Sequence, residues 1–272
     1  MPNKTQDNLI ERTIGCARFI YNCMLADKIK HYKDTKLSLK NTPAQYKKEY
    51  NFLREVDSLA LANAQMNLDT AYTNFFRRVK QGKKELGFPK FKSKKRCSWS
   101  YTTNNQKNSI RIENNKIKLP KIGFVKLIQH REIPDDHIIK SVTITKTRTN
   151  KYYISILVEY ETQVIKKDIE KVIGLDFSMK ELYVDSNGYS AKYPRFFRQA
   201  QEKLAKQQRI FSHRKPGSKR YEKQRLKVAK IHEHISNQRK DFLHKESHRL
   251  SDTYDMVCVE DLNMQAMSQC LN

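Results

Sequence analysis

Acidic side chains are scarce in this chain: 29 Asp and Glu stand against 54 Lys and Arg, giving a formal net charge of +25. Such an excess draws polyanions and makes their binding sensitive to salt. Long apolar runs are missing as well. No stretch of about 18 apolar residues and no amphipathic anchor can be found, so no membrane span or membrane-surface role is expected. The opening Met1-Pro2-Asn3-Lys4-Thr5-Gln6-Asp7 is polar and does not read as a signal peptide, so cytoplasmic residence is expected. Glycine is limited to 7 residues, and G-x-G-x-x-G, G-x-x-x-x-G-K and G-x-S-x-G are all absent. Rossmann, P-loop and α/β-hydrolase readings therefore lose their motifs, and no small-molecule substrate is expected. The 5 cysteines, Cys16, Cys23, Cys97, Cys258 and Cys270, contain no C-x-x-C pair. Their spacing supports neither a zinc site nor a disulfide framework.

The pattern that is present changes along the chain. Ile10, Ile14, Ala17, Tyr21 and Met24-Leu25 recur at helical spacing over residues 5–33. Asn41-Thr42-Pro43 is a helix start, and a stripe from Leu53 to Val79 predicts a long helix over 52–80. From about 99 to 160 the period becomes two, with turns at Asn114-Asn115, Pro120–Gly123 and Thr149-Asn150. That predicts an antiparallel sheet or small barrel with lysines on one face. Strands are predicted at 172–177, 181–185 and 190–193, then helices at 195–212 and 218–250 broken at Lys215-Pro216-Gly217, and a last strand at 256–260. The fold class expected is α+β and multi-domain. A helical segment spans 1–85, an antiparallel β domain 86–165, and an α/β core with a basic helical hairpin 166–272.

Two stretches concentrate positive charge. Residues 77–96 hold Arg77, Arg78, Lys80, Lys83, Lys84, Lys90, Lys92, Lys94, Lys95 and Arg96 against Glu85 alone, with Phe88, Phe91 and Trp99 interleaved or adjacent. Cations between aromatics suit a nucleic-acid backbone with bases stacked on rings, and equally suit a solvated linker whose aromatics pack inward. Residues 195–249 hold 17 Lys and Arg against 5 acids. Arg209, Arg214, Lys215, Lys219, Arg220, Arg225 and Arg239 would line one wall of a nucleic-acid groove there. His244 and His248, four apart on the same predicted helix, read as solvated rather than as zinc ligands.

The most specific feature is a pair of apolar runs that end in carboxylates: Val172-Ile173-Gly174-Leu175-Asp176 and Met256-Val257-Cys258-Val259-Glu260-Asp261-Leu262-Asn263. An acid at the end of a buried strand needs a cationic partner. Three strands, two helices and a final strand, with acids on the first and last, fit a ribonuclease-H-like core in which those two strands are neighbours. Asp176 and Glu260 would then share a divalent cation. Magnesium takes oxygen ligands and keeps waters, so few carboxylates suffice, and metal-assisted phosphodiester cleavage is the chemistry such a site supports. Alternation along the strand puts Glu260 and Asp261 on opposite faces. Glu260 is the choice, since Asp261 can cap the turn at Leu262-Asn263, and Asp185 is a weaker candidate.

These motifs resemble the TnpB (OrfB) family of bacterial insertion sequences. The resemblance rests on Gly15-Cys16-Ala17-Arg18-Phe19-Ile20-Tyr21-Asn22, Gly87-Phe88-Pro89-Lys90-Phe91-Lys92-Ser93-Lys94, Lys118-Leu119-Pro120-Lys121-Ile122-Gly123, Gly174-Leu175-Asp176 and Val259-Glu260-Asp261-Leu262-Asn263, in that order. It implies an opening helix-turn-helix segment and a RuvC-like, magnesium-dependent, RNA-guided DNA endonuclease. Asp176 and Glu260 would be its first two catalytic acids, and a guide RNA and target DNA its partners. The family continues into a paired-CxxC zinc ribbon and a third catalytic Asp. Neither is found before Asn272, so the expectation is a truncated core with uncovered apolar sheet surface and weak cleavage on its own. Two alternatives are a guide-directed binder without catalysis and a DDE-type transposase. The latter would need a further acid after Glu260, which residues 264–272 do not supply.

Overall fold

A computed structural model describes residues 2–83, 85–95, 97–163, 168–178 and 180–262. The chain divides into two compact units, residues 1–162 and 163–272.

The first unit opens on α1 (Lys4–Thr35), a single unbroken helix. Asn3 and Gln6 start it with a reciprocal capping box. Asn3 accepts from the Gln6 N–H at 2.8 Å, and Gln6 accepts from the Asn3 N–H at 3.0 Å. Lys36, in the left-handed region at φ 60°, ends it. A short α2 (Pro43–Tyr46) and a 3-10 turn (Asn51–Arg54) lead to α3 (Ser58–Lys80). The expected start near residue 52 is corrected to 58. Asp57 is the N-cap, accepting from the Leu59 N–H at 3.0 Å. Leu53, in the 3-10 turn, and Val56, in the bend after it, are fully buried all the same, packed into the core among the helical elements.

Six strands follow: β1 (Ser100–Asn104), β2 (Arg111–Glu113), β3 (Lys116–Leu119), β4 (Gly123–Lys126), β5 (Ile138–Lys146) and β6 (Tyr152–Glu159). They form two three-stranded antiparallel sheets, β1-β5-β6 and β2-β3-β4, rather than one. One core joins helices to both sheets: Ile10, Ile14 and Ala60 pack with Tyr101, Ile117, Leu119, Val142 and Ile144. A second core lies among the helical elements, with Ile20, Met24, Leu25, Leu53, Leu61 and Leu68. Truncating one of these to Ala costs about 2–5 kcal/mol.

In the second unit, β7 (Val172–Phe177) lies between β8 (Tyr183–Asp185) and β9 (Met256–Val259). β8 is antiparallel to β7 and β9 is parallel to it. The strand expected at 190–193 reduces to a single bridge, Val184 to Ser190. Asp185 accepts from the Asn187 N–H at 3.0 Å and the Tyr189 N–H at 2.9 Å, so the loop closes on a side chain instead of extending a ladder. α4 (Phe196–Ser212) and α5 (Lys219–Thr253) form a helical hairpin. Gly217 takes the positive φ (+82°) its turn requires, and Ser218 caps α5 by accepting from the Tyr221 N–H at 3.1 Å. Gln224 donates to the Gln207 carbonyl (3.0 Å) and side chain (2.9 Å), pinning one helix to the other. Tyr183, Glu246 and Arg249 tie β8 to α5, with Arg249 also 4.7 Å over the Tyr189 ring. Ile173 is buried, whereas Val172, Val184, Met256, Val257 and Val259 are exposed. No helix among the described residues is long and apolar enough to cross a membrane.

Candidate nucleic-acid and metal site

The acids that end the two apolar runs come off neighbouring parallel strands. The register pairs Val172 with Met256, Ile173 with Val257, Gly174 with Cys258 and Leu175 with Val259. Asp176 is the next residue of β7, and Glu260 directly follows the last residue of β9, so the two acids come at the same level beyond the final register pair. Both are exposed, and they line an open cavity of about 410 Å³ with Gly174, Cys258 and Val184. Asp185, opposite Leu175 in the antiparallel register, is buried and lines the same cavity, while one of its carboxylate oxygens accepts from the Asn187 and Tyr189 N–H groups of its own loop. Among the described residues no group of three His, Cys, Asp or Glu converges. The donor set of the pair, carboxylate oxygens open to solvent, suits a hard divalent cation that retains waters.

The basic hairpin divides by environment. Arg209, Arg214, Lys215, Lys219, Arg220 and Arg239 are exposed, while Arg225 is half-buried and paired with Glu222 at 2.7 Å. Arg239 donates to the Tyr193 hydroxyl at 3.0 Å, which places it over the approach to α4. His248 sits against Asp252 at 2.5 Å and His244 is exposed, so the expected solvated face is what they form.

In the first unit the cationic stretch proves mixed. Arg77, Lys90, Lys94 and Lys95 are exposed, and Arg78 is half-buried against Gly87. Arg96 and Lys84 lie outside the described residues. Lys92 is not a free surface cation. Its ammonium lies 4.0 Å from the Tyr21 ring centroid, and burial pulls its pKa below the usual lysine range. Its backbone is clasped by Asn22, which donates to the Lys92 carbonyl at 2.9 Å and accepts from the Lys92 N–H at 2.8 Å. Nothing in the sequence's periodicity marked Asn22. The only signal was that it and Lys92 each belong to a motif. The interleaved aromatics also divide. Phe88 packs edge-on against Tyr72 and Phe75 yet stays exposed, Trp99 packs against the core and donates to the Lys94 carbonyl at 2.9 Å, and Phe91 is exposed as well.

Comparison with known proteins agrees with the order of motifs. A family model described as "Probable transposase" (OrfB_IS605) matches residues 155–271, and one described as "Helix-turn-helix domain" (HTH_OrfB_IS605) matches residues 1–36. At both of these stretches the chain is similar to the OrfB proteins of insertion sequences. A Streptomyces pristinaespiralis protein named "Putative RNA-guided DNA endonuclease" is 31% identical over 97% of this chain and 65% of its own length. The Escherichia coli K12 protein "Putative RNA-guided DNA endonuclease InsQ" is 29% identical over 98% and 66%. The chain thus spans just under two thirds of each. A cryo-EM structure of a CRISPR-Cas12f ternary complex aligns over 93% of this chain and 62% of its own, at 13% identity and a TM-score of 0.35, too loose a likeness to support a fold assignment. The helix-turn-helix label meets a different structure here: residues 4–35 are one continuous helix with no internal turn.

Proposed function

We propose that this chain acts in guide-RNA-directed DNA cleavage, with Asp176 and Glu260 holding a divalent cation, magnesium by its preference for oxygen donors, and the basic surfaces holding RNA and DNA. The observation that supports the reading is the parallel register of β7 and β9, whose last pair, Leu175 and Val259, immediately precedes Asp176 and Glu260. The sheet order β8-β7-β9, with an antiparallel and a parallel neighbour on either side of the acid-bearing centre strand, supports a ribonuclease-H-like, RuvC-type core within 166–272. The helical (1–85) and antiparallel β (86–165) segments would then serve recognition. The names of the two relatives support the substrate and partner classes. A bound divalent cation would activate water and stabilise the leaving oxygen. The protein's own part is to present two carboxylates on one face and to gather phosphates on the exposed cations of α4 and α5.

The test is cleavage of a target duplex with magnesium and a guide RNA from the cognate transposon end. Guide-dependent cutting that Asp176→Ala abolishes supports the site, and cutting that survives that change rejects it. RNA affinity should fall by about 10³ between 50 and 200 mM salt if six phosphates are engaged, and a flat response rejects the basic surface. A second reading, guided binding without cleavage, draws on the absence of a third convergent ligand among the described residues. It predicts guide-dependent target binding with no cutting at any magnesium concentration.

A further inference from the structure

We infer that Asp255 is a positioning residue for the acid pair, a role that rests on the metal-binding reading of Asp176 and Glu260. β7 and β9 are parallel, so no tight turn sets their register; β8, α4 and α5 all lie between them. Burial does not set it either. All four residues of β9 are exposed, so the usual discrimination between a core face and a solvent face is missing. What remains is a clasp where the two strands begin. The Asp255 carboxylate accepts from the Lys171 N–H at 3.0 Å and the Glu170 N–H at 3.3 Å. In the reverse direction the Asp255 N–H (2.9 Å) and the Met256 N–H (3.2 Å) both donate to the Lys171 carbonyl. Hydrogen bonds to an ionised acceptor are the stronger kind, and these sit one residue ahead of the Val172–Met256 pair.

Register matters here because Glu260 is followed by Asp261. A one-residue slip, with the strand turned to keep its ladder, would bring Asp261 rather than Glu260 beside Asp176. The sheet would still show an acid pair, but one with a shorter arm and a different reach. Asp255 therefore decides which carboxylate joins Asp176.

Two readouts test this. Gly174 lies opposite Cys258, has no positive φ, and a Cβ added there meets only the Ser186 Cβ at 3.8 Å. Gly174→Cys should therefore form a disulfide with native Cys258 under mild oxidation, located by peptide mass spectrometry, and its yield reports the register directly. Electron paramagnetic resonance with Mn²⁺ as the probe reports the pair. In Asp255→Ala the cross-link yield should fall and Mn²⁺ affinity drop roughly tenfold, with Asp255→Asn partly restoring both through its remaining carbonyl oxygen. Residual Mn²⁺ binding in Asp255→Ala should become sensitive to Asp261→Ala. Tyr183→Phe, which loosens β8 from α5 without touching the clasp, controls for general destabilisation and should alter neither readout. Unchanged cross-linking in Asp255→Ala overturns the inference, as does an equal loss in Tyr183→Phe. If Mn²⁺ binding ignores both Asp176→Ala and Glu260→Ala, the metal reading itself fails, and Asp255 keeps only the register role that the cross-link measures.

Discussion

Lys146 gives the sharpest quantitative test of how the first unit is held together. Its side chain is 6% exposed, near the end of β5, yet it carries a charge. Its ammonium lies 2.9 Å from Asp7 and 2.5 Å from Glu11, both in the first turns of α1, and the Tyr152 hydroxyl donates to the same Asp7. Desolvation opposes the charge on Lys146, but the hydrogen bonds to Glu11, Tyr152 and Asp7 outweigh it and hold its pKa above the usual lysine value. Desolvation likewise opposes the Asp7 carboxylate, and its bonds to Tyr152 and Lys146 outweigh that and lower its pKa. Two charge-assisted hydrogen bonds in a buried setting would be worth about 1.5–3 kcal/mol each. The acids, however, are 42% and 53% exposed, so water replaces much of what they lose, and exposed pairs contribute only about 0–1 kcal/mol. Lys146→Met keeps the apolar stem and removes the charge, and should cost about 2 kcal/mol, the upper end of what two exposed pairs give and below the value of two fully buried bonds. In a unit this size that lowers Tm by about 4–8 °C. Urea unfolding followed by Trp99, the only tryptophan in the chain, reads this unit selectively. The pH dependence follows from the lowered Asp7 pKa. A depressed carboxyl contributes stability that is present above its unfolded value of 3.8 and is lost as pH falls through its folded value. Wild type should therefore lose this increment on acidification below about pH 4, while Lys146→Met starts lower and loses less. A Lys146→Met change of under about 0.5 kcal/mol, the ordinary range for an indifferent surface substitution, would refute the reasoning, as would an identical acid limb in the two proteins.

Other expectations concern the segment that joins α3 to β1. Asn22→Ala removes both bonds to the Lys92 backbone and should cost about 1–3 kcal/mol in the same urea assay, with faster proteolysis near residue 90. Gly87→Ala forces an L residue to φ +64° and puts its Cβ 2.1 Å from the Arg78 guanidinium. Arg78 can swing aside, so the expected cost is the backbone term of about 1–2 kcal/mol, read by thermal denaturation. Lys90→Ala and Lys92→Ala should separate binding from folding. Lys90, exposed, should weaken RNA binding and flatten its salt dependence with stability unchanged, whereas Lys92 should also lose about 1–2 kcal/mol of stability through its contact with Tyr21.

Much of the architecture was legible because it rests on local rules. Helical spacing of Ile10, Ile14, Tyr21 and Met24-Leu25 reflects burial of one face of α1, and period-two runs between 99 and 160 became strands wherever one side met Ile10, Ile14 and Ala60. That Asp176 and Glu260 line one cavity could be anticipated from the two acid-ended apolar runs, although both acids and the whole of β9 are exposed, so the cost of burying a carboxylate is not what brings them there. What stayed hidden is non-local. That the β residues split into two sheets depends on which strands meet, and strand pairing leaves no trace in periodicity. The start of α3 at Ser58 was masked because Leu53 and Val56 continue the apolar stripe by coincidence of spacing, although a 3-10 turn presents the first and a bend the second. The strand expected at 190–193 failed because Asp185 closes its loop through the side chain.

The same distinction bears on how charge should be read in this protein. Residues 77–96 look like one cationic surface in the sequence, but Lys92 is held against Tyr21 and Asn22, Arg78 is half-buried beside Gly87, Trp99 packs against the core, and Phe88, though exposed, is engaged with other rings. Within the Gly87–Lys94 motif Lys92 helps hold the segment in place, whereas Lys90 and Lys94 of the same motif, with neighbouring Lys95, are open to a phosphate, so motif membership alone does not separate the two roles. In the hairpin the split runs the other way: most of its arginines and lysines stay in solvent, because a two-helix element has only one narrow stripe to bury, here Leu204, Gln224 and Ile235. Loss of binding on mutating a motif residue in the first unit therefore says little about contact until stability is measured alongside it. Loss on mutating an exposed cation of α4 or α5 points to the nucleic acid itself.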